Sequence, residues 1–385
     1  MKRIYLDYSA TTPVDPDVAE AMRPYITDVF GNADSVHFYG RAAGAAVDEA
    51  RRTVAQAINA SHTEVFFTSG GTEANNWAIK GIAFEFMGKS AKKRIITSAI
   101  EHPSLLESVE FTRSLGFETV VLPVRGDGTV DPDTLENALK DGAALVSVMT
   151  ANNETGTLQD VKRLAALTHE YGALFHTDAV QAVCSEKIDV KKYDVDMMSL
   201  SAHKIYGPKG VGALYVRKGV KLGKLICGGH QERAMRGGTT NVAGAVGFAA
   251  AIKKAADERE SNNLRIRSLR DAFLEKVLAS IPDVSVNGSM TARVPQNVNI
   301  TVGGLKDDAL LHLLDRRGVA CSSGSACSSG SLDPSHVLLA LGLGREQAKA
   351  SLRISLGKYT TAEELDDAAA ILKDCVSDLR NLQKK

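Results

Sequence analysis

The chain has no excess of either charge: 46 Lys and Arg balance 46 Asp and Glu over 385 residues. A nucleic-acid footprint shows as a basic excess or stripe, so direct contact with DNA or RNA is not expected. Long hydrophobic runs are also missing, and none approaches the roughly 20 residues that span a bilayer. The first residues, Met1-Lys2-Arg3-Ile4-Tyr5-Leu6-Asp7, lack the apolar core of a secretory signal. The expectation is a cytoplasmic protein with no membrane partner. Cysteine is scarce and unpatterned: Cys184, Cys227, Cys321, Cys327 and Cys375 include no CxxC pair. Neither a zinc site nor a disulfide framework is indicated, and free thiols in a reducing compartment fit better.

What is present is an ordinary soluble composition, 44% hydrophobic and 24% charged, in a chain long enough to bury a large core. From residue 64 to 216, β-rich runs alternate with helical patterns. Strands are expected at 64–68, 94–98, 118–123, 145–149, 173–176, 196–200 and 212–216, with helices between most of them. Such alternation predicts an α/β domain with a mostly parallel central sheet flanked by helices, whose ligands sit beyond the carboxyl ends of strands. From about residue 246 the pattern changes to a long charged helix, expected over 248–281, followed by shorter strands and helices. This reads as a smaller α+β domain. The expected division is a large domain over 15–250 and a small one over 1–14 and 251–385, with a Ser/Gly-rich loop at about 321–331.

Two strand ends carry the first chemical signal. Ser201-Ala202-His203-Lys204-Ile205-Tyr206-Gly207-Pro208-Lys209-Gly210 follows an apolar run, as does His176-Thr177-Asp178-Ala179-Val180-Gln181. A strand-end Lys and a strand-end Asp are what pyridoxal phosphate needs: an amine for a Schiff base and a carboxylate for the protonated pyridine nitrogen. Ser69-Gly70-Gly71-Thr72-Glu73 joins a strand to a helix, a place where backbone N–H groups meet a phosphate. His102, after the strand at 94–98, is placed to stack on a ring and move protons. Asn153 follows the strand at 145–149, and Arg353 in an alternating stretch suits a carboxylate. Nine of the eleven residues from 321 to 331 are Ser, Gly or Ala. Such a stretch buries little and loses much entropy on ordering, which predicts a mobile tether for Cys327 as a nucleophile.

Taken together with Tyr5-Leu6-Asp7, Ala10-Thr11-Thr12, Ala74-Asn75, Glu101-His102, Asn152-Asn153-Glu154-Thr155-Gly156 and Arg236-Gly237-Gly238-Thr239, these motifs resemble the cysteine desulfurases of the NifS/IscS type. That group lies within the class V aminotransferase-like pyridoxal-phosphate enzymes, with an aspartate-aminotransferase-like fold. The resemblance covers nearly the whole chain. It implies that Lys204 holds pyridoxal 5'-phosphate and moves the substrate Cα proton. Asp178 would pair with the pyridine nitrogen, Asn153 and Gln181 with the ring hydroxyl, and His102 with the ring face. Gly71, Thr72, Ser201 and His203 would hold the phosphate, and Thr239 the phosphate of the partner subunit in a homodimer. Arg353, with Asn153, would bind the substrate carboxylate.

The implied reaction converts L-cysteine to L-alanine and leaves a persulfide on Cys327. The sulfur then passes to an acceptor protein, such as an iron–sulfur scaffold or a tRNA-thiolation enzyme. A selenocysteine lyase or a cysteine-sulfinate lyase on the same scaffold is the alternative. No metal site is implied, although Cys327 as a transient iron–sulfur ligand stays open. The family's Gly-Asn-Pro-Ser-Ser is Gly31-Asn32-Ala33-Asp34-Ser35 here, which is expected to loosen that loop and add a charge near the pocket mouth. Cys321 and Cys184 are assigned no role.

Overall fold

Twelve strands are found in the computed structural model, which describes residues 3–88, 93–305, 309–323 and 333–383. They are β1 Ile4–Tyr5, β2 Val65–Thr68, β3 Arg94–Ser98, β4 Glu118–Leu122, β5 Leu145–Ser147, β6 Leu174–Asp178, β7 Met197–Ser201, β8 Gly212–Val216, β9 Val284–Val286, β10 Asn297–Val302, β11 Val319–Ala320 and β12 Ser351–Ser355. Seven of them form one sheet in the order β2-β8-β7-β6-β5-β3-β4. Within it only β8 runs against its neighbours, so the α/β class expected from the alternation holds. Every residue of β7 and β8 is buried, as expected for strands covered by helices on both faces.

The helices between the strands start at sharp, sequence-encoded caps. His102 caps Pro103–Arg113, Asp131 caps Pro132–Leu139 and Asp160 caps Val161–Glu170, each side chain accepting a backbone N–H in the first turn. Proline opens the first two, where its missing N–H costs nothing. These early starts keep the connections short, so residues just past the strand ends are held tightly. β2, β3, β5, β6 and β7 point the same way, and their carboxyl ends share one edge.

Two further sheets, β12-β10-β9 and β1-β11, accompany the large one. Ile4 and Leu6 pack with Val298, Ile300, Leu352 and Ile354 in a core distinct from the one under β6 and β7. The helix Val242–Ser280 contributes to both: Phe248 and Ile252 to the first, Phe273 and Val277 to the second. It starts six residues earlier than the apolar pattern indicates, because Asn241 caps it through Gly244 N. Near the N-terminus the helix Pro16–Met22 ends at Arg23, where a second short helix opens on Pro24. The first strand pairs only over Ile4–Tyr5. Among the described residues no helix is long and apolar enough to cross a membrane.

Candidate active site

A cavity of about 330 Å³ lies at the shared carboxyl edge, lined by Gly71, Thr72, His102, Asn153, Asp178, Gln181, Ser201, His203, Lys204 and Arg353. Ten of the residues singled out from the sequence therefore meet in one place. Thr239 does not: it lines a separate cavity of about 150 Å³ with Arg236 and Asn241. Cys327 lies outside the described residues. Asp34, expected near the pocket mouth, instead accepts a hydrogen bond from Gln231 Nε2 at 2.8 Å and does not line the Lys204 cavity.

Lys204 arrives on a single 3-10 turn, Ala202–Lys204, directly after β7. Its Nζ donates to the carbonyls of Ser9 (2.5 Å) and Ala10 (2.7 Å). Those carbonyls belong to the N-terminal segment, pinned to the lysine turn by Thr12 N and Thr12 Oγ1, which both donate to His203 O at 3.0 Å. Gln181 Nε2 also donates to Ser9 O, at 2.9 Å. Nothing in the local sequence of Lys204 announces this clamp, which comes from almost two hundred residues away.

Asp178 ends β6. Its Oδ2 accepts from Asn75 Nδ2 at 2.7 Å, and its Oδ1 from Val180 N at 2.9 Å. Asn75 was not singled out for a role. It lies four residues beyond Gly71 in the helix Gly71–Phe86, so the helical repeat that puts Gly71 at the cavity puts Asn75 there too.

The glycine-turn end of the cavity is shaped by close backbone approach. Gly212 sits across from both Thr68 and Ser201. A Cβ there would meet Leu200 O at 2.5 Å and Gly70 Cα at 2.8 Å. Only glycine lets the turn at Ser69-Gly70-Gly71 lie against the end of β7. At Gly71 a Cβ would meet Val180 Cγ2 at 2.8 Å. Ser201 Oγ is buried with no hydrogen-bond partner among the described residues, so the cradle holds an unsatisfied donor beside a helix N-terminus. Burial beside Lys204 and Lys209 pushes His203 down to about 4, leaving it neutral at physiological pH. An amine, a carboxylate, an orphaned hydroxyl and a glycine-lined helix start are a donor set that fits pyridoxal phosphate.

His102 caps its helix through Nδ1, which accepts from Ser104 N at 3.1 Å. That bond places the lone pair on Nδ1, so the neutral ring carries its proton on Nε2. Burial lowers its pKa, with Lys204 and His336 acting in the same sense and Asp178 opposing. Its neighbour Glu101 is fully buried. Its Oε1 accepts from Ser98 Oγ and Met149 N, its Oε2 has no partner among the described residues, and burial raises it to about 8. Glu154, beside Asn153, is likewise raised to about 8 by burial and accepts from Ser335 Oγ.

A carboxyl raised on folding favours the fold at low pH. Its contribution is complete below the ordinary value of 4.5 and is lost as pH climbs through about 8. Glu101→Gln, which keeps an acceptor for Ser98 and Met149, should therefore flatten the decline. Between about pH 6 and about pH 8 the wild type should lose roughly 2 kcal/mol more stability than the variant in urea unfolding. An equal decline in both would show that Glu101 is ionised in the fold.

Two of the other thiols are quiet. Burial pushes Cys184 up to about 11 and Cys321 up to about 12, and the thiolate is the reactive form. His176, held between Ser147 and Ser199 and pushed down to about 3 by burial, is a core histidine.

The profile of the Aminotransferase class-V family matches residues 4–367. The Cysteine desulfurase IscS of Dictyoglomus turgidum is 48% identical to this chain, covering 99% of it and 97% of the relative. That of Methanosarcina thermophila is 47% identical, covering 99% and 94%. Among solved structures, a NifS-like protein superposes with a TM-score of 0.91 at 36% identity, covering 98% of this chain and 100% of that one. The structure of SspA in complex with cysteine gives 0.81 at 35% identity, covering 93% and 100%. With full-length similarity to desulfurases and lysine, aspartate and arginine gathered at one strand edge, the chain belongs to the class-V aminotransferase family and, within it, to the cysteine desulfurases.

Proposed function

We propose that the chain withdraws sulfur from L-cysteine by the joint action of Lys204, His102, Arg353 and Cys327 on pyridoxal 5'-phosphate. The observation that carries this reading is the meeting of Lys204, Asp178 and Arg353 on one cavity with the orphaned Ser201 hydroxyl. Lys204 would hold the cofactor covalently, Asp178 its pyridine nitrogen, Asn153 and Gln181 its hydroxyl, and Gly71, Thr72, Ser201 and His203 its phosphate. When bound, the cofactor supplies an electron sink for charge developing at the substrate Cα.

The chain's own residues do the rest. Arg353 takes the substrate carboxylate. Lys204 Nζ removes and returns the proton at Cα, and the Nε2 proton of His102 is the second one at hand. The Cys327 thiolate attacks the substrate sulfur: the Cβ–S bond breaks, a Cys327 S–S bond forms, and the carbon skeleton leaves as L-alanine. The products, L-alanine and a Cys327 persulfide, account for every atom of L-cysteine and the enzyme thiol.

Thr239 lies in another cavity of the same chain, which supports a phosphate contact made to a second copy in a homodimer. The sulfur acceptor is a protein of iron–sulfur assembly or tRNA thiolation.

The test is a single turnover with L-cysteine and no reductant, with alanine quantified and persulfide mapped by mass spectrometry. One persulfide on Cys327 per alanine is expected. Cys327→Ala should keep the cofactor's visible absorption and lose the persulfide. Alanine formed without persulfide on Cys327 would move the reading to a lyase.

A further inference from the structure

Asp7 and Arg353 form a contact that the reaction described above leaves unused. Arg353 is 1% exposed, and a buried guanidinium needs a counter-charge. Asp7 provides it: Arg353 Nη2 donates to Asp7 Oδ1 at 2.8 Å. The other carboxylate oxygen, Oδ2, accepts from Ser322 Oγ at 2.9 Å. Ser322 in turn is bonded to Arg353 through the backbone in both directions, at 2.7 and 3.1 Å. The three residues close a triangle. Asp7 is also fixed from behind by a parallel bridge to Ser355, two residues along β12 from Arg353.

The guanidinium is held but not saturated. Among the described residues Nη1 makes only a long contact of 3.4 Å, to Asn153 O. Nε is buried with no partner among the described residues. Arginine has five N–H donors in a rigid fork. Asp7 grips one corner and leaves the remaining edge with unmet donors in a side chain that lines the Lys204 cavity.

We propose that Asp7 is a positioning residue for Arg353, aiming its unsatisfied edge at the substrate carboxylate and so setting the enzyme's preference for thiols that carry an α-carboxylate. This rests on the role of Arg353 given above. Asp7 touches no substrate. It acts by fixing the orientation of the guanidinium, and Ser322 fixes Asp7.

The test uses the holoenzyme and two thiols, L-cysteine and 2-aminoethanethiol, which lacks the carboxylate. Binding is read by titrating the cofactor's visible absorption, beside kcat and KM for L-cysteine. Asp7→Ala should weaken L-cysteine roughly tenfold to hundredfold, as a misplaced binding group does. It should leave 2-aminoethanethiol binding and the kcat for L-cysteine nearly unchanged. Asp7→Asn keeps an acceptor for Nη2 and should restore L-cysteine affinity to within about threefold of the wild type. Asp7→Glu keeps the charge but shifts it by one methylene, and should again weaken L-cysteine alone; it carries the test if the alanine variant does not fold.

Tighter L-cysteine binding in Asp7→Ala would mean that Asp7 competes with the substrate, and would overturn the proposal. Equal losses for both thiols would overturn it as well, since only general structure would then be at stake. Arg353→Ala separates the two readings. If it leaves the preference for the carboxylate intact, the role of Arg353 fails; if it abolishes the preference while Asp7→Ala keeps it, only the role of Asp7 fails.

Discussion

Lys204→Ala should cut L-alanine formation from L-cysteine by roughly a thousandfold or more. Among the described residues that line the cavity, Lys204 carries the only amine. No neighbour can replace it in its proposed roles of holding the cofactor and moving the Cα proton, and Lys204→Arg should be no better. The fold should persist. The N-terminal segment loses the two bonds from Nζ but keeps Thr12 N to His203 O and Tyr206 N to Thr12 Oγ1. The variant should therefore be soluble, with wild-type far-ultraviolet circular dichroism and no covalently held cofactor. Turnover within tenfold of the wild type would remove Lys204 from its proposed role.

Glu232→Ala should cost about 3–5 kcal/mol of stability in urea unfolding, because it strands a buried cation. Arg51 and Glu232 form a bidentate pair at 2.5 and 2.7 Å, with side-chain exposures of 7% and 4%. Glu232 also accepts from Phe67 N at 2.8 Å, so the loss includes a backbone bond of β2. Glu232, Arg233 and Ala234 all sit at positive φ, 46°, 58° and 63°, a conformation that is unfavourable for residues with a Cβ. The ion pair is one of the contacts that hold this left-handed run in place. Once it is gone, the segment leading to Thr239 should relax while the Lys204 cavity stays formed. A loss below about 1 kcal/mol would show that the pair contributes no more than an exposed one.

Lys204 and Asp178 were legible because each follows a largely apolar run, and strand ends are where such sheets place their chemistry. Gly71 and Thr72 were legible as a glycine turn entering a helix. The partners that hold these groups were not. The carbonyls of Ser9 and Ala10 on Lys204 and the carboxylate of Asp7 on Arg353 come from the far end of the chain, and no local pattern encodes which distant backbone closes a site. Asn75 had a local signal, its helical spacing from Gly71, which went unused. Arg353 was marked only by its alternating stretch; its burial depends on β10 and β12 pairing, which periodicity alone does not specify. The left-handed run at 232–234 contains no glycine to mark it. Cys327, the residue given the most weight as a nucleophile, lies outside the described residues.

The helix Val242–Ser280 has 39 residues and contains no proline. At 1.5 Å per residue it is about 58 Å long. Because one half is built into the core beneath the large sheet and the other into the core beside β10 and β12, it works as a shared girder. Neither core can melt without stripping the other of a wall, which couples them into one cooperative unit. Chains severed near its middle would leave each fragment with half a helix and an open apolar flank. The two halves of the gene are therefore poor candidates for separate expression, however distinct their sheets look.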